Sequence, residues 1–127
     1  MNLSTIPDIV AALFSLFIYV SDWEQYGVED DWHSHAETVK QGKKFRDDCD
    51  GFALTAIDLL KEIRVEAWPV IVQGPKIKDY RFHMIAAYMD PQTGQIMTLD
   101  NEYPGPRTLE NTLNGSRYKI VKVVSRN

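Results

Sequence analysis

The hydrophobic period of the chain changes once, near residue 64, and that change limits the fold more than any other feature. Before it, apolar residues recur at three- and four-residue intervals, the spacing of one helix face. Phe52, Ala53, Ala56, Ile57 and Leu60 make the clearest such face. After it they alternate, as in Val70 and Val72, the spacing of a strand with one side buried. Helices first and antiparallel strands after predict an α+β fold. The chain of 127 residues is long enough for one core, so a single domain over residues 1–127 is expected.

The pattern predicts a first helix over residues 7 to about 26, with Ser4 or Thr5 ahead of it and Pro7 in its first turn. Its apolar stretch, residues 9–20, is shorter than the roughly 20 residues a spanning helix needs, so no membrane span is expected. No Lys or Arg precedes this stretch and no small-x-small cleavage site follows it. A buried structural helix is therefore expected rather than a signal peptide, and a cytoplasmic location rather than a periplasmic or secreted one. A short helix over 36–40 stops at Gly42, a charged loop covers 43–47, and a helix runs from Cys49 to about Ile63. Strands are predicted over 65–73, 82–89, 95–100 and 118–124, with a two-proline loop over 101–107 and one helical turn near 109–113. Asp90-Pro91-Gln92-Thr93-Gly94 reads as the turn between the second and third strands, Pro fixing one turn position and Gly allowing a left-handed one.

The net charge of −4 gives no footprint for nucleic acid. A single cysteine excludes an internal disulfide and any multi-cysteine zinc site. That cysteine, Cys49, falls where a charged loop becomes the apolar helix, with Asp48 as the expected N-cap. A thiol in the first turn feels the positive end of the helix dipole, which favours thiolate. Asp48 and Asp50 flank it and oppose thiolate unless they point away, cap the helix or bind a cation. His83 lies in the second strand and Asp100 ends the third. A four-residue hairpin loop pairs 90 with 95 or 89 with 94, and either register puts His83 and Asp100 on one face. A cysteine, a histidine and an acid so placed are the parts of a nucleophile, general base and orienting group. The Cys49 amide would be one oxyanion donor, with Gln41 and Trp32 as candidates for the second. His33 and His35, beside Asp30 and Asp31, read as a solvated loop rather than a metal site, and Lys76, Lys78 and Arg81 as a basic loop.

Trp32-His33-Ser34-His35-Ala36-Glu37, Asp48-Cys49-Asp50 with Ala53, His83-Met84 and Leu99-Asp100-Asn101 together resemble the bacterial transglutaminase-like cysteine peptidases. The resemblance covers roughly residues 30 to 103. It implies the papain-like/transglutaminase core, with N-terminal helices and the nucleophile helix packed on a small antiparallel sheet. It also implies Cys49 as nucleophile, His83 as base and Asp100 as orienting acid. The activity implied is a thiol hydrolase, a cysteine peptidase or amidase working through a thioester on a peptide or protein substrate. The alternatives are acyl transfer or deamidation of the transglutaminase type, and a non-catalytic binding or structural module on the same fold. Some of the proteins resembled bind calcium through acids beside the cysteine. Asp48 and Asp50 are accordingly candidate calcium ligands, with no other cofactor expected. The chain departs from the pattern twice. Gly51 stands where relatives usually carry a second acid, and Arg46-Asp47 stands in place of the usual glycine before the cysteine.

Overall fold

The structure, a computed structural model, describes residues 2–20, 34–75 and 82–124. A five-stranded antiparallel sheet carries one central helix, and a two-stranded parallel ribbon lies beside that helix. In chain order the elements are α1 (Ile6–Leu16), β1 (Phe17–Tyr19), α2 (Ala36–Lys40), β2 (Phe45–Asp47) and α3 (Cys49–Glu62). There follow β3 (Ala67–Gln73), β4 (His83–Met89), β5 (Ile96–Asp100), β6 (Tyr103–Thr108), α4 (Leu109–Gly115) and β7 (Lys119–Val123). The sheet order is β6-β5-β4-β3-β7. No described helix is long and apolar enough to cross a membrane.

Helix α3 is buried nearly all round. Phe52, Ala53, Ala56, Ile57 and Leu60, the predicted face, are 0–1% exposed, but Leu54, Thr55 and Leu59 are buried too. The sheet covers one side through Met84, Ala86, Tyr88 and Leu99. Helix α1 covers another, with Phe14 and Phe52 rings 5.2 Å apart and Ile9, Ala12 and Leu13 in the same core. A helix apolar over most of its surface has to be enclosed in this way, leaving Lys61 and Glu62 exposed at its end. The opposite face of the sheet holds a second cluster of Val70, Val72, Ile85 and Ala87, against which Trp68 and Tyr118 pack.

Three boundaries differ from those expected. The first helix ends at Leu16, capped at its start by the Thr5 hydroxyl, and the chain becomes extended at Phe17-Ile18-Tyr19. These are β-favouring aromatic and branched residues. They find a ladder partner in Phe45-Arg46-Asp47, so the expected charged loop holds strand β2. The rest of the expected first helix, from residue 21, lies outside the described residues. The two-proline segment forms the edge strand β6, where a missing N–H is tolerated.

The hairpin register follows the turn. Met89 pairs with Ile96 and Ala86 with Leu99, and the Asp90 amide donates to the Gln95 carbonyl at 2.9 Å. That is the 90-with-95 register. Gly94 sits at φ +71°, a conformation that favours glycine, and so permits the reversal.

Candidate active site

The site assembles at one end of the sheet, where β4 begins and β5 ends. Asp48 caps α3, its Oδ1 accepting from the Asp50 amide at 3.0 Å and the Gly51 amide at 3.4 Å, so Cys49 opens the helix. The Phe52 amide bonds the Asp48 carbonyl. The Cys49 amide is thus the first-turn donor that these capping bonds do not use. The Met84 backbone hydrogen-bonds the Cys49 sulfur, which sets the thiol beside the start of β4.

His83 and Asp100 share a face and meet, with Nε2 to Oδ1 at 2.7 Å and both residues buried. The Asp100 carboxyl is the hub of this end of the sheet. Its Oδ1 also accepts from the Glu102 amide at 2.9 Å, its Oδ2 accepts from the Tyr118 hydroxyl at 2.8 Å, and Arg107 lies 3.9 Å away. Burial pushes this carboxyl up, but the hydrogen bond and charge of His83, with the Glu102 amide and Tyr118 hydroxyl, outweigh it and hold the group below the ordinary value. An ionised carboxylate only accepts, so Nε2 of His83 carries the hydrogen of this bond. The Tyr118 hydroxyl is pushed upward by burial and by the neighbouring Asp100 charge, and stays protonated as the donor this arrangement needs.

Cys49 does not behave as the helix dipole alone suggests. Burial pushes its thiol well above the ordinary value, and the charges of Asp50 and Asp48 push the same way against the Met84 backbone. The thiol donates to Asp50 Oδ1 at 3.4 Å. Cys49 is therefore held as a neutral thiol.

Two features escaped the sequence reading. The sequence marks Tyr118 only as the start of a strand, yet its ring packs 5.6 Å from that of His83 and its hydroxyl anchors Asp100. Nothing local marks a tyrosine as the partner of an acid 18 residues earlier. His35 is no solvated loop residue. Its Nε2 lies 2.7 Å from Oδ2 of Asp47, which is fully buried, and its ring stacks on Phe45. The Asp47 Oδ1 accepts the Asp48 amide at 2.8 Å, so this second His–Asp pair braces the segment leading into Cys49. The other half of the proposed histidine pair, His33, with Asp30, Asp31, Trp32, Lys76, Lys78 and Arg81, lies outside the described residues. Gln41 is exposed at the C-cap of α2.

Tyr118→Phe keeps the ring and removes the hydroxyl, which isolates the bond to Asp100. A hydrogen bond to a charged group is worth about 1.5–3 kcal/mol, and that loss of stability is expected at neutral pH. Because Asp100 titrates below its unfolded value of about 3.9, its contribution is present above that pH and is lost as pH falls through the folded value. The difference between wild type and Tyr118→Phe should therefore be full at pH 6 and shrink under acid, as urea denaturation at several pH values would show. A difference independent of pH would contradict the assignment.

No family model matches the sequence. No curated protein matches it either. Solved structures do. LapG of Legionella pneumophila, calcium-bound, superposes with a TM-score of 0.65 at 16% identity over 95% of this chain and 66% of LapG. EGTA-treated LapG gives 0.60 at 17% identity over 92% of this chain and 61% of LapG. A candidate cysteine protease from Cytophaga hutchinsonii gives 0.55 at 15% identity over 97% of this chain and 43% of that protein. The chain thus spans less than two thirds of the length of each of these proteins. With its α3 helix on an antiparallel sheet and its agreement with LapG, the chain has the transglutaminase-like cysteine peptidase fold, the papain-like core.

Proposed function

We propose that the protein is a cysteine peptidase or amidase in which Cys49 is the nucleophile, His83 the general base and Asp100 the group that orients it. The observation that carries the reading is the buried His83–Asp100 bond at 2.7 Å, with the Cys49 thiol against the backbone of the next residue, Met84. Since the thiol is neutral at rest, attack and deprotonation go together. The sulfur adds to the peptide carbonyl carbon while its proton passes to Nδ1 of His83. The carbonyl oxygen takes up the negative charge and is met by the Cys49 amide at the positive end of α3. Collapse breaks the C–N bond, and the imidazolium gives its proton to the leaving amine. Water then adds to the thioester with His83 again as base, releasing the acid and restoring the thiol. Asp100 stabilises the imidazolium formed in both halves.

Asp48 and Asp50 would hold a calcium ion. Their carboxylate oxygens and the Cys49 sulfur lie within 4.8 Å of one another. The carboxylates are the hard donors calcium takes, and two of the about six to eight it needs. When bound, the ion supplies positive charge beside the acids that flank Cys49. Calcium is expected to raise the melting temperature over that in EGTA, by the equivalent of about 2.7 kcal/mol at a hundredfold excess over Kd. Asp50→Asn should remove most of that rise. Equal melting with calcium and EGTA would rule the site out.

The reading is tested by alkylation of Cys49 with iodoacetamide across pH, in EGTA. Wild-type protein should react slowly at neutral pH through a His83-dependent route and faster as pH climbs past the free-cysteine value of about 8.5. His83→Ala should lose the neutral limb. Asp50→Asn, which removes a charge opposing thiolate, should raise the neutral rate several-fold. A profile identical in wild type and His83→Ala would make Cys49 structural.

A further inference from the structure

A clasp of buried polar groups closes around the first turn of α3. Asp47, the last residue of β2, is fully buried. Its Oδ2 lies 2.7 Å from Nε2 of His35, the N-cap residue of α2, and its Oδ1 accepts the Asp48 amide at 2.8 Å. His35 is tied to α3 a second time. Its backbone amide donates to the Thr55 hydroxyl at 2.8 Å, and that hydroxyl donates to the Gly51 carbonyl at 2.6 Å. The His35 ring stacks on Phe45, which belongs to the core. The Asp47 carboxyl also packs against Gly51, where no Cβ would fit.

These bonds converge on one residue. Asp48 is held at both ends, its amide by Asp47 and its carbonyl by the Phe52 amide at 3.1 Å. Holding both groups restricts rotation on either side of the Asp48 Cα. The Asp48 carbonyl and the Cys49 N–H belong to one planar trans peptide unit and point in opposite directions. The direction of the Cys49 N–H is therefore set by the bonds of Asp48, one of which depends on Asp47 and through it on His35. The thiol has holds of its own, at the Met84 backbone and Asp50 Oδ1.

We propose that His35 and Asp47 are positioning residues that aim the Cys49 N–H at the developing oxyanion without touching substrate. This rests on the peptidase reading. An oxyanion donor acts by being in place before the charge develops, and removing one costs about 10²–10³-fold in kcat. A donor left in place but misaimed forfeits part of that.

The test compares two reactions of Cys49 in one calcium-containing buffer. In alkylation by iodoacetamide the sulfur attacks a saturated carbon, the C–I bond breaks and the thiol proton passes to His83, so no oxyanion forms. Turnover of a fluorogenic peptide amide passes through one. The readout is the ratio of kcat on the amide to the His83-dependent alkylation rate at neutral pH, the latter taken as the difference between each variant and the same variant carrying His83→Ala. Unfolded protein contributes to neither rate, so the ratio reports orientation rather than stability. His35→Phe keeps a ring on Phe45 and removes the bond to Asp47. It should lower the ratio about tenfold at unchanged KM. Asp47→Ala should lower it further, by about 10²-fold. Asp47→Ala combined with Gly51→Ala refills the vacated space with apolar groups, and should regain stability while the ratio stays low. His35→Gln, which still offers a nitrogen to Asp47, should recover most of the ratio. Lys40→Ala cuts the 2.7 Å tie to Glu62 at the far ends of α2 and α3, and should leave the ratio at the wild-type value. A ratio unchanged in both His35→Phe and Asp47→Ala, or one restored along with stability in the double variant, would overturn the proposal while leaving the peptidase reading standing. Wild-type alkylation that is indifferent to His83→Ala, with no amide turnover, would overturn the peptidase reading instead.

Discussion

His83→Ala is expected to lower the turnover of a fluorogenic peptide amide by about 10³–10⁴-fold, the scale of losing a general base. The effect should be larger than in an enzyme whose cysteine is already ionised. Here burial and the Asp50 and Asp48 charges hold the thiol protonated, so attack needs a base at the moment of bond formation. Asp100 separates orientation from charge. Asp100→Ala removes both and should approach the His83→Ala loss. Asp100→Asn has a choice of flips. With its oxygen toward His83 and Glu102 it keeps the useful tautomer, and its amide then faces the Tyr118 hydroxyl, which can turn and accept. That variant keeps the geometry and loses only the charge that stabilises the imidazolium. It should fall short of the alanine loss by roughly one order of magnitude or more. Equal losses in Asp100→Asn and Asp100→Ala would mean that the tautomer is lost in both, and that Tyr118 does not set the flip.

Gly51→Ala is expected to destabilise the protein by about 3 kcal/mol, near the upper end of the overpacking range. In an exposed helix the same change would stabilise by up to about 1 kcal/mol through propensity alone. The sign reverses because a Cβ at position 51 would clash with the Asp47 Cγ and Oδ2. Asp47 is not a side chain that can swing aside. It is fully buried, bonded to His35 at 2.7 Å and to the Asp48 amide at 2.8 Å. Moving it breaks both bonds and leaves a buried carboxylate short of partners. Thermal or urea denaturation should show the loss, and in an Asp47→Ala background Gly51→Ala should cost far less. A neutral Gly51→Ala in the wild-type background would show that the segment before Cys49 relaxes freely.

The Asp47 carboxyl fills the space that a side chain at 51 would occupy, so the acid before Cys49 and the glycine after it form one packed unit.

The sequence by itself determined the parts whose causes are local. The Asp48 cap and the apolar face of α3 depend on residues within a turn or two of one another, and both are as the spacing predicted. The parity of His83 and Asp100 follows from the length of one hairpin loop, so their meeting could be read before any coordinates. What only the tertiary structure decided depends on groups far apart in the chain. Strand β1 exists because β2 supplies its ladder, and β6 because its prolines fall on an edge. Tyr118 reaches Asp100, and His35 reaches Asp47, only through the packing of separate elements. The direction of the Cys49 shift belongs to the same class. A helix N-terminus favours thiolate along the sequence, but desolvation depends on how deeply the folded chain encloses the sulfur, and there burial and two neighbouring carboxylates prevail over the dipole.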